Sequence, residues 1–153
     1  MKIAIGSDHA GYELKEEILH LLASQQIEFL DFGAFSTESV DYPDYGIKVA
    51  EAVAAGEFDL GILVCGSGIG MSIVANKVPG IRAALCIDTY CAKFSREHNN
   101  ANILVLGGRV VSKDTALDIV KTWLSTDYPG EHRHARRIEK ISEIEKRFNR
   151  GGA

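Results

Sequence analysis

The sequence has no excess of positive charge: 17 Lys and Arg stand against 21 Asp and Glu, for a formal net charge of −4 and a pI near 5.7. That balance excludes the broad basic footprint of a nucleic-acid-binding chain. The one local basic bias is C-terminal, in Arg133, Arg136, Arg137, Lys140, Lys146, Arg147 and Arg150. No apolar run is long enough to cross a bilayer, and Met1-Lys2-Ile3-Ala4-Ile5-Gly6 leads straight into a strand, so neither a membrane span nor a signal peptide is expected. The cysteines Cys65, Cys86 and Cys91 are odd in number and lack Cys-x-x-Cys or Cys/His spacing, which argues against a disulfide framework or a zinc site. A reducing, cytoplasmic setting fits. Internal repeats and low-complexity linkers are also missing, and 153 residues suffice for one core, so a single domain over 1–153 is expected.

What is present is a regular alternation of short apolar runs and amphipathic stretches. Lys2–Gly6 reads as a strand, and Leu14, Ile18, Leu21 and Leu22 then recur at helical spacing over roughly 11–25. Ile27–Phe32 is the second strand. Pro43, flanked by Asp41 and Asp44, starts a helix that runs to Gly56. Leu60–Val64, Ile81–Ile87 and Ile103–Leu106 are further strands, each followed by a helical pattern: Ile69–Lys77, 89–98, and one starting at Ser112. A tail helix over 134–149 aligns Ile138, Ile141, Ile144 and Phe148, an apolar stripe that must be buried, with a partner subunit as the expected cover. Five βα units of this length predict an α/β fold: a three-layer, doubly wound, Rossmann-like five-stranded parallel sheet with a C-terminal helix.

The stretch with chemical character is Cys65-Gly66-Ser67-Gly68-Ile69-Gly70, between a strand and a helix start. It is not the dinucleotide fingerprint, since position 71 is Met71, and it is not a P-loop, since no Lys-Ser/Thr follows. A buried cysteine is ordinarily an inert small hydrophobe, but the positive end of a helix favours the thiolate. Asp8-His9 closes the first strand, and pairing of the first and third strands would bring it beside Cys65. His98-Asn99 ends the fourth helix, where a histidine can simply face the helix dipole. Arg133 and Arg137, four apart, share a helix face and have the fork geometry suited to phosphate. Together these residues describe a phosphate-bearing small ligand whose reacting carbon lies near a thiolate, with backbone N–H groups placed for developing oxyanion charge. Proton abstraction next to a carbonyl suits them, and nothing implies a metal or a redox cofactor.

Several ordered motifs resemble one family: Gly6-Ser7-Asp8-His9-Ala10-Gly11, Asp41-Tyr42-Pro43-Asp44-Tyr45, the Cys65–Gly70 loop, Asn76-Lys77, Gly80-Ile81-Arg82-Ala83, Ser95-Arg96-Glu97-His98-Asn99 and Gly107-Gly108-Arg109. They look like type B ribose-5-phosphate isomerase, within the ribose, allose and galactose-6-phosphate isomerases. The resemblance implies interconversion of ribose 5-phosphate and ribulose 5-phosphate through a cis-enediolate, without metal or other cofactor. It implies Cys65 as the base between C2 and C1, Ser67 (often threonine in the family) as a relay, and His98 as the group that opens the sugar ring. The amides of Gly66, Ser67, Gly68, Ile69 and Gly70 would hold the enediolate oxygen. Asp8 and Asn99 would bind sugar oxygens, and His9, Arg133, Arg137 and Arg109 the phosphate, Arg109 within or across subunits. A homodimer or a dimer of dimers is implied. The alternatives are an isomerase of a six-carbon substrate such as allose 6-phosphate, or a non-catalytic phosphosugar sensor.

Overall fold

The computed structural model describes residues 1–149; Arg150 and the remaining positions of the domain expected over 1–153 lie outside the described residues. The elements are β1 (Lys2–Ser7), α1 (Tyr12–Ser24), β2 (Glu28–Asp31), α2 (Tyr42–Ala54), β3 (Leu60–Cys65), α3 (Ile69–Asn76), β4 (Ala83–Leu85), α4 (Thr89–Glu97), β5 (Ile103–Gly107), α5 (Lys113–Ser125) and α6 (His132–Phe148). All strand pairs are parallel, in the order β2-β1-β3-β5-β4. The doubly wound parallel sheet read from the alternation is therefore the observed one.

The central strands are apolar at successive positions because both faces of the sheet are covered. Side chains alternate between the faces. Ile3, Ile5, Ile62, Val64, Leu104 and Leu106 pack with Leu14, Ile18 and Leu22 of α1, Ala92 of α4, and Ile119, Val120 and Trp123 of α5. Ala4, Leu63, Cys65, Ile103 and Val105 face the other way, onto Val49, Ala50 and Val53 of α2 and Met71 and Ala75 of α3. Cys65 is thus aimed into the layer whose helix α3 begins four residues later.

Two elements depart from the sequence reading. β4 keeps only Ala83–Leu85 of the expected Ile81–Ile87, because it is an edge strand with β5 as its one partner among the described residues. The Arg82 amide instead donates to Asn102 Oδ1, and Ile87 is exposed. The tail helix starts two residues earlier than expected, at His132, which places Arg133 inside it. Its apolar stripe is not covered among the described residues: Ile141 is 48%, Ile144 54% and Phe148 75% exposed. A hydrogen bond from the Gly80 amide to Glu145 Oε1 ties α6 to the turn before β4.

Candidate active site

β1 and β3 lie side by side, yet the chain leaves them toward opposite edges of the sheet: α1 leads to β2 at one edge and α3 to β4 at the other. Such a divergence opens a crevice at the C-terminal strand ends. Asp8, His9, Cys65, Gly66, Ser67, Gly70 and Arg109 line a cleft there of about 440 Å³, together with Ala10, Tyr42 and Val110. That volume lies within the range of small-ligand pockets.

The loop geometry is set by backbone crowding. Gly68 has φ +80°, a left-handed conformation that favours glycine, and a Cβ there would lie 2.4 Å from Leu85 Cδ1 and 3.1 Å from the Leu106 carbonyl carbon. In this turn the Gly68 amide donates to Cys65 Sγ at 3.2 Å, and the Ile69 amide to Ser67 Oγ at 3.2 Å. The loop after β5 braces it, with the Gly108 amide on the Cys65 carbonyl at 2.8 Å and the Arg109 amide on the Gly66 carbonyl at 2.9 Å. Cys65 is buried, whereas Ser67 and Ile69 are exposed at the mouth.

Two side chains that directly follow β1 complete this edge. Asp8 is buried, and its Oδ1 accepts the Gly11 amide at 2.9 Å while its own amide donates to the Val64 carbonyl. His9 Nδ1 accepts the Val40 amide at 3.1 Å, so the loop before α2 fixes the imidazole orientation. That bond leaves Nε2 as the protonated nitrogen of the neutral ring. Cys86, by contrast, is a buried thiol pushed up to about 11 by desolvation, and Cys91 is raised by its bond to Asp88. Neither lines this cleft.

The remaining predicted site residues are elsewhere in the chain. His98 caps the C-terminal end of α4, and Asn99 follows it, just before β5 begins. Cys65 pairs in register with Gly107, the last residue of β5. The two ends are separated by the length of β5, on the order of 15 Å at the usual rise per residue. There His98, Arg133, Phe94, Glu97, Glu131 and His134 line a second, smaller hollow of about 200 Å³. Arg137 is one turn further along α6, and both arginines are exposed. Arg109, left open between subunits by the sequence, lies in the Cys65 cleft of its own chain.

Tyr42 was missed as a lining residue. Its ring lies over Gly70, where a Cβ would come within 2.7 Å of it. The signal was present in Asp41-Tyr42-Pro43-Asp44-Tyr45, but nothing local says which way the first residue of a helix faces. Among the described residues no three His, Cys, Asp or Glu side chains gather as metal ligands, and no helix is long and apolar enough to cross a membrane.

Known proteins share this arrangement along nearly their whole length. The model of the Ribose/Galactose Isomerase family matches residues 3–141. Ribose-5-phosphate isomerase B of Escherichia coli is 50% identical over 148 residues, covering 97% of this chain and 99% of that one. D-erythrulose-4-phosphate isomerase of Pectobacterium atrosepticum is 42% identical over 146 residues, with 95% of each covered. The solved structure of ribose-5-phosphate isomerase B from Clostridium thermocellum superposes with a TM-score of 0.95 at 61% identity, over 97% of this chain and 99% of that one. With the glycine loop, the strand-end Asp-His pair and the parallel sheet all in place, the chain belongs to the ribose/galactose isomerase family, among its type B ribose-5-phosphate isomerases.

Proposed function

We propose that this aldose–ketose isomerase interconverts ribose 5-phosphate and ribulose 5-phosphate by moving a proton between C2 and C1 through a cis-enediolate, without a metal ion. The observation that carries the reading is Cys65: a thiol at a strand end, faced by the Gly68 amide and opening on a cleft with Asp8, His9 and Arg109 around it. The Cys65 thiolate takes the C2 proton of the open-chain aldose and returns it to C1, while the loop amides hold the charge that develops on oxygen. The Ser67 hydroxyl relays a proton between O1 and O2. His98 opens the furanose ring beforehand, because the closed sugar has no carbonyl to acidify its C2–H. His9 and the arginines take the phosphate.

This chemistry needs Cys65 and His98 on one substrate, and within one chain they stand at opposite edges of the sheet. The reading therefore includes a homodimer in which the 200 Å³ hollow of one protomer faces the 440 Å³ cleft of the other. Exposed apolar residues support that assembly: Ile69, Ile73 and Val110 flank the cleft, and Ile141, Ile144 and Phe148 line α6. A pairing about a twofold axis makes two equivalent composite sites.

The deciding experiment separates ring opening from proton transfer. Ribulose 5-phosphate cannot close to a furanose, since its C5 oxygen carries the phosphate, so uptake of solvent deuterium at its C1 reports the base alone. Cys65→Ala is expected to abolish both this exchange and turnover of ribose 5-phosphate. His98→Asn should lose about a hundredfold in ribose 5-phosphate turnover and keep the exchange. Exchange persisting in Cys65→Ala would remove the thiol from the mechanism. Comparing kcat/KM for four-, five- and six-carbon sugar phosphates, with and without chelator, tests the substrate and the metal independence together.

A further inference from the structure

His134 is buried to 5% exposure in a helix whose other residues are mostly open to solvent. Its Nε2 has no hydrogen-bond partner among the described residues; the nearest carboxylate oxygen, Glu131 Oε2, is 3.9 Å away. A buried polar atom left this way has a cost that something else must offset. What the ring does have is a flat contact: it stacks on His98 with centroids 4.1 Å apart and planes 14° from parallel. The contact ends a column of rings along α4, with Tyr90 on Phe94 at 4.6 Å and Phe94 on His98 at 4.7 Å. His98 is thus in contact with two rings, tilted against Phe94 from its own helix and stacked on His134 from α6.

We propose that His134 is a positioning residue: its neutral ring, stacked on His98, fixes the plane in which His98 presents a nitrogen to the ring oxygen of the sugar. This rests on the reading of His98 as the ring-opening group. His134 is not itself suited to carry the proton, because burial, and after it the neighbouring His98 and Arg133, hold it below the usual histidine range against the opposing charge of Glu131. Its value lies in the face of the ring, since a proton transfer loses rate steeply when the donor is misaimed.

The test compares His134→Ala, His134→Phe and His98→Asn in the full-length protein by two readouts, turnover of ribose 5-phosphate and deuterium uptake at C1 of ribulose 5-phosphate. His134→Ala is expected to lower kcat for ribose 5-phosphate roughly ten- to hundredfold, with KM and C1 exchange nearly unchanged. His134→Phe keeps a flat ring and should restore most of the lost kcat. Full turnover in His134→Ala overturns the proposal. So does an equal loss of exchange, which would mark general damage, or a phenylalanine variant as poor as the alanine one. If His98→Asn turns over ribose 5-phosphate normally, the ring-opening reading itself fails, and the proposal fails with it.

Discussion

The cleft at the C-terminal edge of the sheet is made of strand ends and backbone; the hollow at the N-terminal edge is made of helix ends and side chains. In the first, Asp8, Cys65 and Arg109 follow directly from β1, β3 and β5, whose register fixes their relative heights. Hydrogen bonds between loops, such as the Gly108 amide on the Cys65 carbonyl, hold them there. In the second, His98 and Arg133 come from α4 and α6, brought together by ring stacking and by helix ends rather than by a shared ladder. Rigid backbone suits a base and an oxyanion site, which must hold sub-ångström geometry. On the proposed reading, His98 and the arginines are carried on helices and delivered across a subunit boundary.

The largest effect that would break this comparison comes from mixing inactive variants. Cys65→Ala and His98→Asn protomers, each expected to be nearly inactive alone, are expected to recover about a quarter of wild-type activity when co-expressed and randomly paired, since half the dimers would hold one intact site of two. No recovery in a sample shown to contain mixed dimers would place both residues in one chain's site. Next in size, Arg137→Ala is expected to raise KM for sugar phosphate about tenfold or more with a smaller change in kcat, as for a charged contact to phosphate; an unchanged KM would leave the phosphate to His9, Arg109 and Arg133.

A smaller effect sharpens the contrast in rigidity. Gly68→Ala places a side chain at φ +80° against Leu85 and the β5 backbone. The expected cost is about 1–3 kcal/mol of stability by denaturant unfolding, together with loss of activity as the Gly68 amide leaves the sulfur. The subtlest prediction concerns the other half. His134 titrates below its ordinary 6.5 in the folded protein, chiefly through burial, so the folded state resists its protonation. The unfolded chain binds that proton first as pH falls, and stability is therefore complete above about pH 6.5 and declines below it. The unfolding midpoint is expected to drop on going from about pH 7 to about pH 5.5, and to drop less in His134→Phe. Equal declines would mean that His134 contributes nothing to the acid limb.

How much of this was legible in the chain follows the same division. The Cys65–Gly70 loop could be read because its parts are contiguous, and an apolar run, three glycines and a helix start specify one local geometry. Asp8 and His9 could be placed beside it once β1 and β3 were taken as neighbours. Tyr42 and the shortening of β4 could not be read, since the facing of a helix start and the number of partners of an edge strand are set by elements distant in sequence. That His98 and Arg133 stand apart from Cys65 within one chain could not be read, because the sequence does not say at which end of a helix the chain stands relative to the sheet. α4 runs back from the C-terminal edge, and its last residue therefore lies at the opposite one.

The sequence by itself determined the alternation of strands and helices, the covering of the sheet on both faces and the place of the glycine loop between a strand end and a helix start, because each depends on periodicity or on residues in direct succession. Only the tertiary structure decided the strand order β2-β1-β3-β5-β4, the exposure of the α6 stripe, the stacking of His134 on His98 and the separation of the two groups of functional residues. These depend on which distant segments pack together, and the parallel sheet, by sending each helix between two strands back along its length, places the strand ends and the ends of those helices at opposite edges of the molecule.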